Sequence, residues 1–512
     1  MICERYRRQR SQSSQSRIFQ SKNFLCALCV PFVLCASAFA APCASDDPPP
    51  RDAAIESLIR DAAGLPPEFN ADVLIRIAGS TRVADLAWKR EMLEEAFFRA
   101  YAAPVAYRRT SVRVPPDSLQ GALTQAYDTQ IARVPLQVRA AQLMAFVAPL
   151  RARELFEWID LNLAPAVCSD VLVPAVDEYY GALSTLARTT FAASERGDAV
   201  RFLELYLWRA HLPTEMPAVA RALLRFRPSA IEATYLETFY GQLLNAGTSD
   251  PRGFSVSDID IVGRSADLQG ADRERSVPGW FVMDSLKAYL LKHLNGPRCA
   301  DSATESFVPS AFNAAARLLR ADPIAEVTPI NADAIRPSRL LGGARIDLYW
   351  QTFAARRLYE MWMGLRGTGQ NQVPERVRRT DEWRDNADRF ITELDQWTGR
   401  SEASERDYFY QKATLFANLL DLMPSSAVRT RGLRDFIDFM RHADTDRDQR
   451  ALWFVFVNRL LELSRGNNRR QTLTLMEQSG QPTLSTYARL ERIMPPQRRV
   501  GSGASTVPAA TR

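Results

Sequence analysis

From Asp52 onward, apolar residues recur three and four positions apart, the period of one helical face. Phe69, Val73, Leu74 and Ile77 share such a face, opened by Pro66 and Pro67 and closed by Gly79 and Ser80. Leu93, Ala96, Phe97, Ala100 and Tyr101 repeat the spacing up to Pro104. The same pattern predicts helices over 118–131, 136–148, 151–163, 176–192, 198–210, 218–226 and 230–244, with only a few residues between them. Short connections make consecutive helices antiparallel neighbours. The expected fold is therefore all-α, with stacked antiparallel helical hairpins building an irregular α/α superhelix interrupted by long loops.

The interruptions fall at 246–277, 295–306 and 322–343, which carry Gly, Asp, Ser and Arg and show only Ile259 to Val262 as an extended piece. Loops of that length are uncommon inside a domain, so 246–277 and 322–343 are the expected binding edge. Helical periodicity returns over 346–365, 376–397, 404–422, 428–442, 450–463 and 483–493. The expected organisation is a signal peptide at 1–40, a Pro-rich linker at 41–51, an N-terminal helical array at 52–245, a helix with long irregular loops at 246–343, a C-terminal array at 344–494 and a disordered tail at 495–512. No tetratricopeptide or ankyrin spacing is matched.

The N-terminus sets the expected compartment. A basic region with Arg5, Arg7, Arg8, Arg10, Arg17 and Lys22 precedes the short apolar run Phe24 to Leu34, and Ala38-Phe39-Ala40 follows it. This is the layout of a secretory signal cleaved after Ala40, and the run is too short for a comfortable membrane span. An extracytoplasmic protein, periplasmic or secreted, with no membrane span after signal removal is expected. Four of the seven cysteines lie in that signal and Cys43 lies in the linker, which leaves Cys168 and Cys299 for the body. In an oxidising compartment they either form a disulfide closing a loop of about 130 residues, which stabilises by ~4–5 kcal/mol in the chain-entropy model, or remain two separate buried thiols.

The apolar fraction of 46% with 24% charged residues belongs to a folded chain, not a disordered one. The net charge of +6 sits at the ends: residues 1–40 carry +5 and 465–512 carry +6, which leaves −5 between them. A nucleic-acid footprint belongs on the folded body, so no nucleic-acid partner is expected. The bias of sixty Arg to five Lys is given no functional weight.

Few residues have the spacing that chemistry requires. The three histidines, His211, His293 and His442, are far apart in sequence, and no metal site is expected. Asp438 and His442 share a helical face, but a His at a helix C-terminus answers the helix dipole without any metal. Asp444, Asp446 and Asp448 begin like a calcium loop, yet Gln449 and Val455 stand where Gly and Glu are needed, so a solvated turn is expected. No nucleotide-binding glycine motif or nucleophile elbow is present, and no cofactor is expected. Glu305-Ser306 resembles the Glu-Ser segment of lytic transglycosylases, where a lone Glu is the general acid. The following proline comes one position early and Asn313 to Ala316 replaces the glycine-rich segment, so Glu305 reads as a helix-start carboxylate. Aromatic clusters at Tyr179-Tyr180, at Tyr235, Phe239 and Tyr240, at Tyr349, Trp350, Phe353, Tyr359 and Trp362, at Tyr408 to Tyr410 and at Trp453, Phe454 and Phe456 have helical spacing and read as core. Arg356-Arg357, the group Arg376, Arg378 and Arg379, and Arg469-Arg470 read as solvated helix faces.

Leu65 to Phe69, Ala71 to Arg76, Trp88, Leu93 to Phe97 and Gly296 to Asp301 together resemble a family of uncharacterised secreted bacterial helical proteins of unknown function. The resemblance implies no catalytic residue and no cofactor, and it adds support for Cys168 and Cys299 as a structural pair. The function expected is therefore a non-catalytic helical binding or scaffolding protein with a protein or envelope partner. The alternative is an α/α enzyme acting on cell-wall or other polysaccharide, which needs two carboxylates in an aromatic-lined groove.

Overall fold

Short helices in water are held by tertiary packing more than by propensity, so the fold follows from which faces find partners. A computed structural model describes residues 51–104, 109–110, 119–161, 172–173, 176–249, 256–275, 280–294, 309–310, 313–315, 317, 353–368, 371–398, 405–443, 450–464 and 469–494. All of them belong to one unit, Pro50–Arg512. The fold is all-α. The only ladders among the described residues are two antiparallel pairs of two residues each, Arg109–Thr110 with Leu172–Val173 and Gly367–Thr368 with Asn371–Gln372.

The helices of the first half are α1 (Ala53–Ala63), α2 (Pro67–Ala78), α3 (Leu86–Arg99), α4 (Leu119–Asp128), α5 (Arg133–Met144), α6 (Pro149–Glu157), α7 (Asp177–Thr189), α8 (Arg196–Leu207), α9 (Met216–Phe226), α10 (Ala230–Gly247), α11 (Val256–Arg275) and α12 (Trp280–Leu294). The second half has α13 (Phe353–Arg366), α14 (Glu375–Arg378), α15 (Asp381–Gln396), α16 (Glu405–Leu422), α17 (Ala427–His442), α18 (Arg450–Leu463), α19 (Arg469–Gln478) and α20 (Pro482–Ile493). Their starts carry local caps. Asp52 accepts from the Ala54 amide, Asp85 from those of Ala87 and Trp88, and Ser229 with Glu232 forms a reciprocal box.

Neighbours pack in the order of stacked hairpins: α5 on α7, α7 on α9, α9 on α11, α10 on α12, α15 on α17 and α16 on α18. Gly241 marks the closest of these approaches, because a Cβ there would lie 2.5 Å from the Phe281 ring of α12. Two helices lie where the pattern predicted none. The stretch 246–277 contains α11, whose buried positions Ile261, Ser265, Leu268 and Asp272 fall on one face. Half of that stripe is polar, which hid the period, and the Ser265 hydroxyl is held there by the Tyr240 hydroxyl at 3.1 Å. Helix α19 lies in the basic stretch after Leu463, where it packs on α18 and α20. The predicted helix over 376–397 is broken instead, with α14 ending before Thr380, which caps α15 by accepting from the Trp383 amide.

The last helices return to the first. Helix α20 packs on α1 and α2, and α18 packs on α4. The Phe69 ring stands 5.9 Å from Trp453, 5.1 Å from Phe454 and 6.4 Å from Tyr487. Ion pairs frame this apolar contact: Arg450 reaches the buried Glu68 at 2.8 Å, and Arg489 pairs with Asp61. Arg82 also donates to the Ile493 carbonyl at 2.7 Å.

One buried cation closes the end of α15. The Lys412 ammonium, from α16, donates to the carbonyls of Asp395 at 2.7 Å and Trp397 at 2.9 Å, and Tyr408 donates to the Trp397 carbonyl at 2.7 Å. These are the orphan acceptors that a helix C-terminus leaves. Burial lowers the Lys412 pKa to about 8, against the partial pull of Asp395. The folded value lies below the unfolded one, so between pH 8 and 10.5 the unfolded chain binds the extra proton and stability rises with pH. Lys412→Met is expected to cost about 1–3 kcal/mol. The wild-type Tm is expected to gain on that of the variant as pH is raised from 8 to 10, which thermal denaturation at matched ionic strength measures.

Candidate functional site

The residues singled out by the sequence do not converge. Cys43, Cys168, Cys299, Glu305, Asp444, Asp446, Asp448, Tyr349, Trp350 and the stretches 295–306 and 322–343 lie outside the described residues. His442 ends α17 with its Nδ1 2.9 Å from the Asp438 carbonyl oxygen, a helix-terminal contact. His293 is buried against Tyr289 with Nε2 3.1 Å from the Gly247 carbonyl oxygen, and His211 turns onto the Arg209 carbonyl. Among the described residues, no three His, Cys, Asp or Glu side chains come together as metal ligands. Tyr179, Tyr180, Tyr240, Tyr410, Trp453, Phe454 and Phe456 are core, whereas Tyr235 is 47% exposed. The arginine runs are engaged: Arg356 with Glu360, Arg357 with Glu393, Arg379 with Glu375, and Arg378 with the Leu422 carbonyl.

The site the sequence did not indicate is built on α2. This helix is buried on nearly all sides, so Glu68, Asn70 and Asp72 must find partners inside. The Asn70 amide donates to the Ala62 carbonyl at 2.8 Å. Asp72 is fully buried. Its Oδ1 accepts from Arg139 Nη1 of α5 at 2.7 Å, and its Oδ2 accepts from the Tyr487 hydroxyl of α20 at 2.7 Å and pairs with Arg76 Nε at 2.7 Å. The Arg76 guanidinium also lies 5.4 Å from the Tyr487 ring centroid. Burial by itself raises the Asp72 pKa, but Arg76, Arg139 and the Tyr487 hydroxyl together bring it below its ordinary value. The Tyr487 hydroxyl is pushed well above its ordinary value by burial and by the Asp72 charge.

A cavity of about 1020 Å³ opens beside this cluster, where α2, α5 and α7 meet α18 and α20. Arg76 and Arg139 form part of its wall, with Gln142, Thr185 and Asn458 as uncharged polar neighbours and Asp128 and Glu491 as acids. Gln130, between α4 and α5, also lines it and holds a left-handed φ of 57°. That conformation costs a non-glycine residue about 1–2 kcal/mol. It places the Gln130 amide on Glu178 at 3.1 Å and its carbonyl 3.5 Å from Arg139 Nη1.

Two smaller cavities separate the parts that a polysaccharide enzyme would need together. One of about 540 Å³ is lined by Tyr359, Trp362, Tyr410 and Phe456 with Thr414, Asn418 and two arginines, and no Asp or Glu is part of its described lining. Another of about 370 Å³ holds Asp435 and Asp438 but no aromatic ring. These two acids sit one turn apart on α17, side by side rather than on opposite sides of a scissile bond.

No family model, curated protein or solved structure matches the chain.

Removing the carboxylate leaves two guanidiniums facing a neutral amide, so Asp72→Asn is expected to cost about 3–5 kcal/mol. Tyr487→Phe removes one hydrogen bond to a charged group and is expected to cost less, about 1.5–3 kcal/mol. Because the folded Asp72 pKa lies below the unfolded value of 3.8, its contribution is complete above that pH and is lost as pH falls through the folded value. Urea titrations from pH 6 down to pH 2 are expected to show an acid-side loss of stability that Asp72→Asn reduces. An equal slope in both proteins contradicts the assignment.

Proposed function

We propose that the chain is a non-catalytic helical binding protein and that its ligand occupies the cavity beside Arg76 and Arg139. The observation that carries this reading is the fixed pair of arginines: one buried carboxylate holds an edge of each guanidinium while both side chains stay partly exposed on the wall of the largest cavity described. Preorganised groups bind without first giving up side-chain freedom. Burial of most of the aromatic clusters supports binding over sugar hydrolysis, as does the separation of ring-lined and acid-lined cavities.

The place of action we propose is extracytoplasmic, periplasmic or secreted, on the signal-like layout of residues 1–40. No described helix is long and apolar enough to cross a membrane. The kinship proposed is with the secreted helical family that the chain resembles, and Cys168–Cys299 is the proposed disulfide, so a non-reducing peptide map of the exported protein is expected to contain that linked pair. Separate thiols at both positions after export contradict the pairing.

The test of function is retention. The exported chain is incubated with envelope extract, re-isolated and analysed by native mass spectrometry beside a Gln142→Trp variant, which puts a bulky indole in the cavity wall. A small molecule retained by the wild type, unchanged in mass over time and absent from the variant, is the expected result. Fragments or altered products accumulating with time would replace the binding reading with an enzymatic one.

A further inference from the structure

Two guanidiniums share one buried carboxylate, with the Glu491 charge also acting on Arg76, and the hydrogen bonds to Asp72 use only part of each fork. Arg76 pairs through Nε, and among the described residues its Nη1 and Nη2 make no hydrogen bond or ion pair. Arg139 pairs through Nη1, which leaves Nε and Nη2 without one among the described residues. The two side chains are 35% and 24% exposed, and both line the cavity. A guanidinium held by one edge offers a rigid fork of donors on the other, the geometry that matches a planar or tetrahedral oxyanion.

The rest of the wall narrows the ligand. Asp128 and Glu491 add two negative charges to the lining and repel an extended polyanion such as nucleic acid or polyphosphate. Phe146, which is 70% exposed, stands in the same wall with Leu143, Leu490 and Met494, an apolar stretch for which a ligand body provides cover. The cavity is far larger than an isolated head group requires.

We propose that the ligand is a small amphipathic anion. Its oxyanion head, carboxylate or phosphate monoester, is held by Arg76 and Arg139, and its apolar body lies along Leu143, Phe146 and Leu490. This deepens the reading of the cavity as the ligand site and rests on it. The arginines act as binding residues, with Asp72 as the group that positions them.

The test is calorimetric titration of the full chain with four probes that share one body, 4-phenylbutyrate, 4-phenylbutyl phosphate, 4-phenylbutanol and 4-phenylbutylamine, together with acetate and inorganic phosphate as heads without a body. At least one of the two anions is expected to bind about ten-fold or more tightly than the alcohol, the amine and the bare heads, and the tighter of the two identifies the head. An Arg76→Lys, Arg139→Lys double variant keeps the charges on Asp72 but removes the forks, and it is expected to weaken that anion about ten-fold. Gln142→Trp is expected to abolish its binding, and it serves alone should the double variant fail to fold by circular dichroism. Binding of the alcohol or amine as tight as the anions, and blocked by Gln142→Trp, overturns the oxyanion while the cavity reading stands. Anion binding unchanged in Gln142→Trp overturns both, and no heat from either amphipathic anion at millimolar concentration overturns the oxyanion alone.

Discussion

A carboxylate taken fully out of water has to be answered by charge and hydrogen bonds, because its uncompensated burial costs several kcal/mol. Asp72 is answered from three directions: Arg76 from its own helix, Arg139 from α5 and the Tyr487 hydroxyl from α20. The farthest of them, Tyr487, lies 415 residues from Asp72 in the chain. The carboxylate is satisfied only when the last helix docks on the second, so the polar cluster and the meeting of the two ends of the unit form together.

The apolar and polar parts of that junction do different work. Phe69 against Trp453, Phe454 and Tyr487 removes large ring surfaces from water, which supplies energy without strict direction. A ring cluster of this kind tolerates sliding by part of a turn. The bonds from Asp72 to Tyr487 and from Glu68 to Arg450 do not, since a shift of one residue would strand a buried charge. The same logic recurs at Glu215, which is buried and accepts from the Tyr180 hydroxyl at 2.7 Å and from the amides of His211 and Leu212. Burial thus holds the helices together, and a few buried carboxylates set their register.

How far the fold was legible depended on whether the buried positions of a helix are mainly apolar. Helices of that kind declared themselves whether they bury one stripe, as α17 does, or nearly every side, as α16 and α18 do: 450–463 was predicted with the boundaries that α18 shows, and 404–422 and 428–442 differ from α16 and α17 by one residue at the N-terminus. Helix α11 stayed hidden because Ser265 and Asp272 occupy half of its buried stripe. Helix α2 was read correctly as a helix, but its near-total burial was not drawn from its composition. A helix apolar over more than one face that also contains Glu68, Asn70 and Asp72 must hold polar groups inside. That was the available signal for the cluster. The identity of the partners was not available, since Arg139 and Tyr487 carry no local mark that separates them from many other arginines and tyrosines.

The state of the carboxylates bears on the same proposal as the cavity shapes. A general acid has to keep its proton near neutral pH, which requires a carboxyl whose pKa is raised by an apolar site or by a neighbouring negative charge. Asp72, which holds the two arginines of the 1020 Å³ cavity, is driven the other way by those guanidiniums and stays ionised. Asp435 is raised by burial and by the charges of Asp395, Asp438 and Asp388, but it borders a shallow, ring-free cavity on the face of α17 and is opposed by Arg431. Asp421 is raised as well, by burial and by the Glu462 charge, but it is paired with Arg459 and is not part of the described lining of the ring-lined cavity, and the 1020 Å³ cavity has a buried carboxylate spent on holding arginines in place. Asp72 therefore has no proton to give near neutral pH, and what it supplies to the proposed site is the fixed placement of two guanidiniums.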